Sequence, residues 1–316
     1  MQQRPEETTL AYLIVLLSLI LAGCASHEQT SVRQESYLGL KPPGMKPEVF
    51  APGVVSIEDG KEYKISFTPD LSEMVFTRRT PKGRNDRLWY CRFEDGRIST
   101  PVPAPFGCDC NEMEASFTPD GNRVYITSFR PLPGESERSR RPRLWIADRT
   151  EEGWSEPRLL ESPLAESIPV YLSFERGGSV YFTNSRPREI RTARLVDGDY
   201  VDIEPLPEEI NYLPNVAHPA VARDGSFLII DSIREEDGSL VGSLYVSFRR
   251  PDGSWTRAVS MKEALQATDE DIYAAPRVTP DMKYILFERY VRETDKADIY
   301  WVDARVLDSL RPRDDR

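Results

Sequence analysis

One short phrase recurs five times along this chain, and that repetition constrains the fold more than any single residue. The copies read ISFTPDLSEMVFT from Ile65, ASFTPDGNRVYIT from Ala115, YLSFERGGSVYFT from Tyr171, PAVARDGSFLIID from Pro219 and PRVTPDMKYILFE from Pro276. Each is an apolar strand, a tight turn of the Pro-Asp or Asp-Gly kind, and a second apolar strand with alternating side chains. A third element follows as RLWYCRF at Arg87, RLWIADR at Arg143, SLYVSFR at Ser243 and DIYWVDA at Asp298, with the weaker RTARLVD at Arg191 in the third copy. A fourth is visible as WSEPRLL at Trp154, YVDIEPL at Tyr200 and WTRAVSM at Trp255. From Phe67 to Phe117, Phe174, Val221 and Val278 the steps are 50, 57, 47 and 57 residues. Four short antiparallel strands at that interval describe the blades of an all-β, single β-propeller. A lone unit cannot bury both sheet faces, so neighbouring blades must pack round a closed ring. Ser260 to Thr268 is the best short helix candidate.

Closure sets the blade number. The last copy has three strands before the chain turns charged beyond Leu310, while residues 47–56 upstream of the first copy read as an orphan outer strand. If that segment completes the last blade, five blades close and the chain ends lock the ring. Five is the favoured reading; the alternative is a sixth, degenerate blade shared between the termini.

The Phe-Thr-Pro-Asp-Gly phrase, followed by a Val-Tyr-Ile-Thr-Ser strand and a Leu-Trp strand, resembles the TolB-type, WD-like propeller repeat over roughly residues 49 to 305. Ser116 to Gly121 with Leu144 and Trp145 matches best; copy one lacks the Gly after Asp70, copy three lacks the Pro-Asp pair, and copy four has Arg223 in place of Pro. The resemblance implies a binding, scaffolding or partner-dependent assembly role, and six blades, from which five copies depart. It specifies architecture far better than activity.

At the start of the chain, Leu10 to Ala22 is apolar apart from Ser18, too short for a comfortable membrane span. It leads into Leu21-Ala22-Gly23-Cys24, which resembles the lipobox of bacterial lipoproteins, where cleavage precedes a cysteine that is then acylated. The only basic residue before the apolar run is Arg4, against Glu6 and Glu7, whereas signal peptides start positive. An ordinary signal or an uncleaved anchor therefore stays open beside the lipoprotein reading. The expected organisation is a lipoprotein signal peptide at 1–23, lipidated Cys24 and a Pro-rich flexible tether through 48, the propeller at 49–310 and a charged tail at 311–316. Ala25 after the lipobox, rather than Asp, points to the outer membrane and a periplasm-facing domain.

The net charge of −11 becomes −10 once Arg4, Glu6 and Glu7 leave with the signal. Such a surface argues against nucleic acid or anionic lipid as partner. The expected partners are an envelope protein, a peptide or a glycan, with membrane contact through the N-terminal lipid alone, a monomeric state and no cofactor. An oxidising compartment suggests one disulfide joining Cys91 to Cys108 or Cys110; free thiols remain the alternative. No metal is expected, because Cys-x-Cys spacing is unusual for zinc and neither His27 nor His218 lies nearby in sequence.

In a propeller the first strand of each blade lines the central axis. Aligned copies put Glu62 and Lys64, Glu112 and Glu114, Pro169 and Tyr171, Val216 and His218, and Tyr273 and Ala275 at equivalent positions. Glu112, Glu114, Tyr171, His218 and Tyr273 are thus the candidate ligand-binding residues, with Arg130 and Arg186 after the second strands. Those arginines, with Arg79 and Arg234, have a structural reading as partners of carboxylates such as Asp70, Asp120 and Asp224. If the protein is an enzyme, axial carboxylates Glu62, Glu112, Glu114 and Asp271 suit a glycosidase-like mechanism. No G-x-S-x-G, Walker, dinucleotide or HExxH motif occurs. The favoured function is a non-catalytic, membrane-tethered binding or scaffold propeller; the alternative is a carbohydrate-active enzyme.

Overall fold

The computed structural model describes residues 36–79, 85–167, 169–236 and 238–312. Cys24 and the expected signal peptide lie outside the described residues, and no described helix is long and apolar enough to cross a membrane. The repeats fold as successive antiparallel groups. The first contains β2 (Lys61–Phe67), β3 (Glu73–Arg79), β4 (Asp86–Glu94), β5 (Arg97–Ile98) and β6 (Val102–Pro103). The second has β7 (Glu112–Phe117), β8 (Arg123–Ser128), β9 (Arg143–Thr150), β10 (Gly153–Trp154) and β11 (Arg158–Leu159). The third runs β12 (Val170–Phe174), β13 (Val180–Ser185), β14 (Arg188–Val196) and β15 (Asp199–Pro205). Then come β16 (Val216–Val221), β17 (Phe227–Glu236), β18 (Ser239–Phe248) and β19 (Val259–Ser260). The last is β20 (Asp271–Val278), β21 (Tyr284–Val291) and β22 (Lys296–Asp303), completed by the upstream strand β1 (Glu48–Val49), which pairs with β22 through Glu48↔Trp301.

Sheet faces are buried against neighbouring groups, as a ring demands. Val75 and Tyr90 of the first meet Phe117 and Ile126 of the second; Tyr125 and Ile146 meet Leu172 and Phe182 of the third; Tyr181 and Ile190 meet Val221 and Ile230; Phe227 and Ile229 meet Ile285 and Phe287. The last closes on the first, with Leu286, Ile299 and Trp301 against Ile65, Met74 and Phe76. Phe76 and Phe287 are each 1% exposed, so truncating either to Ala costs about 3–5 kcal/mol.

Turns follow their residues. In Thr-Pro-Asp copies the Asp carboxylate accepts from the Thr hydroxyl and from the backbone two residues on, as in Thr68–Asp70–Ser72 and Thr279–Asp281–Lys283. Two expectations need correction. The segment assigned to a tether is packed from Tyr37 onward: the Tyr37 ring lies tilted against Tyr284 at 4.5 Å between centroids and its hydroxyl donates to Asp281 at 2.9 Å, because the ring finds an apolar bed that Pro-rich composition does not reveal. Residues 260–268 form turns rather than a helix; among the described residues the short helices are α1 (Pro163–Glu166), α2 (Glu208–Asn211) and a 3₁₀ turn at Ala304–Ser309.

Candidate functional site

Every inner strand carries a register shift near its start, at Tyr63/Ile65, Glu112/Glu114, Val170/Ser173, Ala217/Ala220 and Ala274/Arg277. Such bulges re-aim a side chain that would otherwise follow the pleat. Four of the bulge residues are left-handed: Lys64 (φ 47), Tyr171 (φ 62), His218 (φ 49) and Ala275 (φ 50). Non-glycine residues reach that region at a cost of about 1–3 kcal/mol, and such strain clusters at functional sites. Three of the bulge amides are tied to the preceding group, those of His218 and Ala275 to its second strand and that of Tyr171 to its first. His218 N donates to Thr183 Oγ1 at 3.0 Å, Ala275 N to Asp231 Oδ2 at 2.7 Å, and Tyr171 N to Glu114 Oε1.

This ring holds a charged and aromatic stack. Lys64 Nζ lies 4.9 Å from the centroid of the Tyr171 ring, whose other neighbour is the His218 imidazole at 3.8 Å between centroids. Lys64 is also 3.8 Å from Glu114 Oε2. His218 Nδ1 is 2.5 Å from Asp231 Oδ2, without hydrogen-bond geometry. Above the stack opens a cavity of about 460 Å³ lined by Tyr63, Met113, Tyr171, His218, Glu288 and Tyr290, with the ion pairs Arg79–Asp86 and Lys61–Asp295 on its walls. Burial, helped by Asp231, pushes the Glu288 carboxyl up to about 7. Burial, with Arg277 beside it, pushes the Lys64 ammonium down to about 7 against the pull of Glu114 and Asp231. Lys64 Nζ, Glu114 Oε2 and Asp231 Oδ1 have no hydrogen-bond partner among the described residues.

The far end of the axis is closed. Arg277, 7% exposed, reaches across from β20 to donate to Ile65 O at 3.0 Å, Leu172 O at 3.1 Å and Ser116 Oγ at 3.2 Å. Arg223 donates beyond it to Pro119 O at 3.1 Å. Only a recess of about 70 Å³ remains at that mouth. The axis is therefore a blind pocket entered from one side.

Of the residues expected at the axis, Glu114, Tyr171 and His218 come together. The others do not converge there. Glu62, fully buried, takes Arg78 Nε at 2.6 Å, and burial pushes it up to about 7. Glu112, also fully buried, pairs with Arg130 and accepts from Cys108 N at 2.9 Å. Asp271 is held by Arg289 Nε at 2.8 Å, and Tyr273 packs on Phe287 at 5.7 Å. Arg186 is exposed on the β13–β14 connection. The physical reason is the bulge: it separates residues two apart, sending Lys64 and Glu114 to the axis and Glu62 and Glu112 into their own sheets. Three of the four repeated arginines pair with carboxylates, Arg79 with Asp86, Arg130 with Glu112 and Arg234 with Glu236, rather than with the turn aspartates, whose oxygens serve their own loops. The cysteine pairing is corrected too: Cys108 joins Cys110, and Cys91 is a buried free thiol on β4.

Asp231, Glu288 and Arg277 were not among the expected site residues, although the repeats contain the signal. The phrase quoted above ends in Thr77, Thr127 and Thr183 in three copies, then in Asp231 and Glu288.

No family model matches this sequence, and no curated protein matches it. The fold is similar to a solved structure from Agrobacterium tumefaciens described as TolB, at TM-score 0.45 and 15% identity over 77% of each chain. It is also similar to Kuenenia stuttgartiensis hydrazine synthase, at TM-score 0.45 and 11% identity over 81% of this chain and 80% of that one. A third similar structure is the catalytic domain of an α-L-arabinofuranosidase from Coprinopsis cinerea, at TM-score 0.46 and 9% identity over 82% and 97%. The propeller assignment rests on the strand pairing itself.

Proposed function

We propose that the chain is a lipid-anchored bacterial envelope protein whose propeller binds a peptide or glycan in its axial pocket without transforming it. The Leu-Ala-Gly-Cys24 sequence supports the anchor, and Ala25 after it, rather than Asp, supports an outer-membrane, periplasm-facing position. What carries the binding reading is the polar and aromatic lining of the pocket, with His218 and Glu288 beside Tyr63, Tyr171 and Tyr290, over a buried charged layer of Lys64, Glu114 and Asp231. The Glu288 carboxyl and the ion pairs on the walls offer a ligand hydrogen bonds to charged groups, each worth about 1.5–3 kcal/mol. Tyr63, Tyr171 and Tyr290 add flat faces of the kind that sugar rings and peptide planes pack on.

The test is a thermal-shift screen of the chain lacking residues 1–23, with Cys24 replaced, against envelope glycans, peptidoglycan fragments and peptides. A ligand at a hundred times its Kd stabilises by about 2.7 kcal/mol. That shift is expected to vanish in Tyr171→Ala. A shift that survives the substitution overturns the axial assignment, and a flat screen overturns small-ligand binding in favour of a protein partner.

One observation favours a second reading as a carbohydrate-active enzyme: Glu288, held near 7 at the pocket wall, is in the range where a general acid works. Asp231 or Glu114 then supplies the second carboxylate. Release of reducing ends from a bound glycan, lost in Glu288→Gln, decides for the enzyme; a ligand recovered intact decides for the binder.

A further inference from the structure

The loop between β6 and β7 carries a second chemically distinctive place, away from the axis. Cys108 and Cys110 are joined with their Cα atoms 5.2 Å apart and one residue between them. In the loop-entropy picture so short a closure constrains the unfolded chain least, so the bond is a poor structural staple. Its two sulfurs are also unequal. Cys108 is half-buried and lines a cavity of about 540 Å³ with Arg87, Leu88, Trp89 and Pro103. Cys110 is 4% exposed, and its Sγ sits 3.5 Å from Ser128 Oγ. That hydroxyl oxygen accepts from both Arg130 N and Arg130 Nε at 3.2 Å. With its oxygen so engaged, its proton is free to point at sulfur, and Cys110 Sγ at 3.5 Å is nearer than Cys108 Sγ at 3.9 Å.

We propose that Cys108–Cys110 is a thiol–disulfide exchange site that takes thiols through the cavity at Cys108. An incoming thiolate attacks Cys108 Sγ; the new bond joins substrate sulfur to Cys108, the Cys108–Cys110 bond breaks, and its electron pair leaves on Cys110 Sγ. Ser128 Oγ–H donates to that leaving thiolate, with the Arg130 guanidinium polarising the hydroxyl. A second thiol on the substrate then attacks its own sulfur and releases Cys108. The substrate dithiol loses two electrons to become a disulfide, the cysteine pair gains two, and the two thiol protons pass to the cysteines or to solvent. Cys91 does not compete: burial keeps it away from solvent and pushes its thiol up to about 12.

The experiment follows the Cys108–Cys110 peptide by mass after alkylation, in the folded chain titrated with reduced glutathione and, separately, with a dithiol peptide. Reduction of the folded protein is expected, about tenfold slower in Ser128→Ala, because a less stabilised thiolate is a poorer leaving group. Cys110→Ser is expected to capture glutathione from its disulfide at Cys108, whereas Cys108→Ser captures it at Cys110 at least about tenfold more slowly. Circular dichroism on each variant separates loss of exchange from loss of fold, and the wild-type titration needs no variant. Equal capture by the two single-cysteine variants, or a disulfide that glutathione reduces only once the chain unfolds, overturns the proposal. So does a reduced pair that holds Zn²⁺ and no longer exchanges: Cys108, Cys110 and Glu112 offer ligand atoms within 4.8 Å of one another, and that outcome makes the place a metal site instead.

Discussion

The two ends of the propeller axis are built from the same repeat and have opposite character. At the closed end, the position before the Phe or Val of each copy is Ser66, Ser116, Ser173 and Ala220, small enough for inner strands to converge, and then Arg277. The single large residue fills the space the small ones leave, and its guanidinium meets carbonyls and a hydroxyl rather than an acid. At the open end the equivalent break in the pattern puts Asp231 and Glu288 where Thr77, Thr127 and Thr183 stand. Thr77 and Thr183 bond neighbouring backbone at 2.8 and 3.0 Å, and Asp231 does the same at 2.7 Å while bringing charge and a spare oxygen. Repeated letters hold the ring; letters that change in the last two copies close one mouth and charge the other.

The sharpest way to break this contrast is at the closed end. Arg277→Ala removes a buried cation and leaves two carbonyls without that donor, so an unfolding free-energy loss of about 3–5 kcal/mol is expected in urea denaturation. Arg277→Met, which keeps the volume, should recover part of it. A loss below about 1 kcal/mol for the Ala variant would mean the strands converge without the plug.

At the open end the expected stability effect is smaller and the functional effect larger. Asp231→Asn keeps an acceptor for Ala275 N but weakens the contact with His218, costing about 1–2 kcal/mol, while ligand-induced stabilisation disappears. Glu112→Gln gives the converse: it breaks the buried pair with Arg130, lowering stability by about 3 kcal/mol, and leaves ligand affinity of the folded fraction unchanged. Equal effects of Asp231→Asn and Glu112→Gln on affinity would erase the distinction between axial and intra-blade carboxylates.

Much of this was legible in the sequence, for a definable reason. Strand alternation, Thr-Pro-Asp turns and the period of the repeat are local, so they report blades, and the alignment of Lys64, Glu114, Tyr171, His218 and Ala275 identified the axial ring. What it did not separate was Glu62 from Lys64 or Glu112 from Glu114. A bulge sends such neighbours to different environments, and no residue type announces it. The exceptions Arg277, Asp231 and Glu288 were written in the repeat, but they read as noise until the strands are placed round one axis. Cys91 looked available for pairing because spacing says nothing of burial; with Cys108 and Cys110 one residue apart, the nearer partner was each other.

The pH dependence gives the finest resolution. Glu288 is raised from 4.5 to about 7, so the folded state binds more protons than the unfolded chain between those values. Its contribution is fully present below pH 4.5 and is lost as pH rises through about 7. Lys64 is lowered from 10.5 to about 7, so the folded state binds fewer protons above 7, and stability returns as pH climbs toward 10.5. The two limbs predict a shallow trough near neutral pH, in the region where a ligand does most to restore stability. Glu62, raised to about 7 within its own blade, adds to the acid-side limb, so the axial share is read from the difference between wild type and Glu288→Gln. Allowing for solvent screening at a pocket-lining group, that difference is about 1 kcal/mol between pH 4.5 and 7, measured by urea denaturation at matched ionic strength. A difference curve that is flat across this window would place Glu288 in open solvent and leave Asp231 as the only acid built into the open end by the altered repeat position.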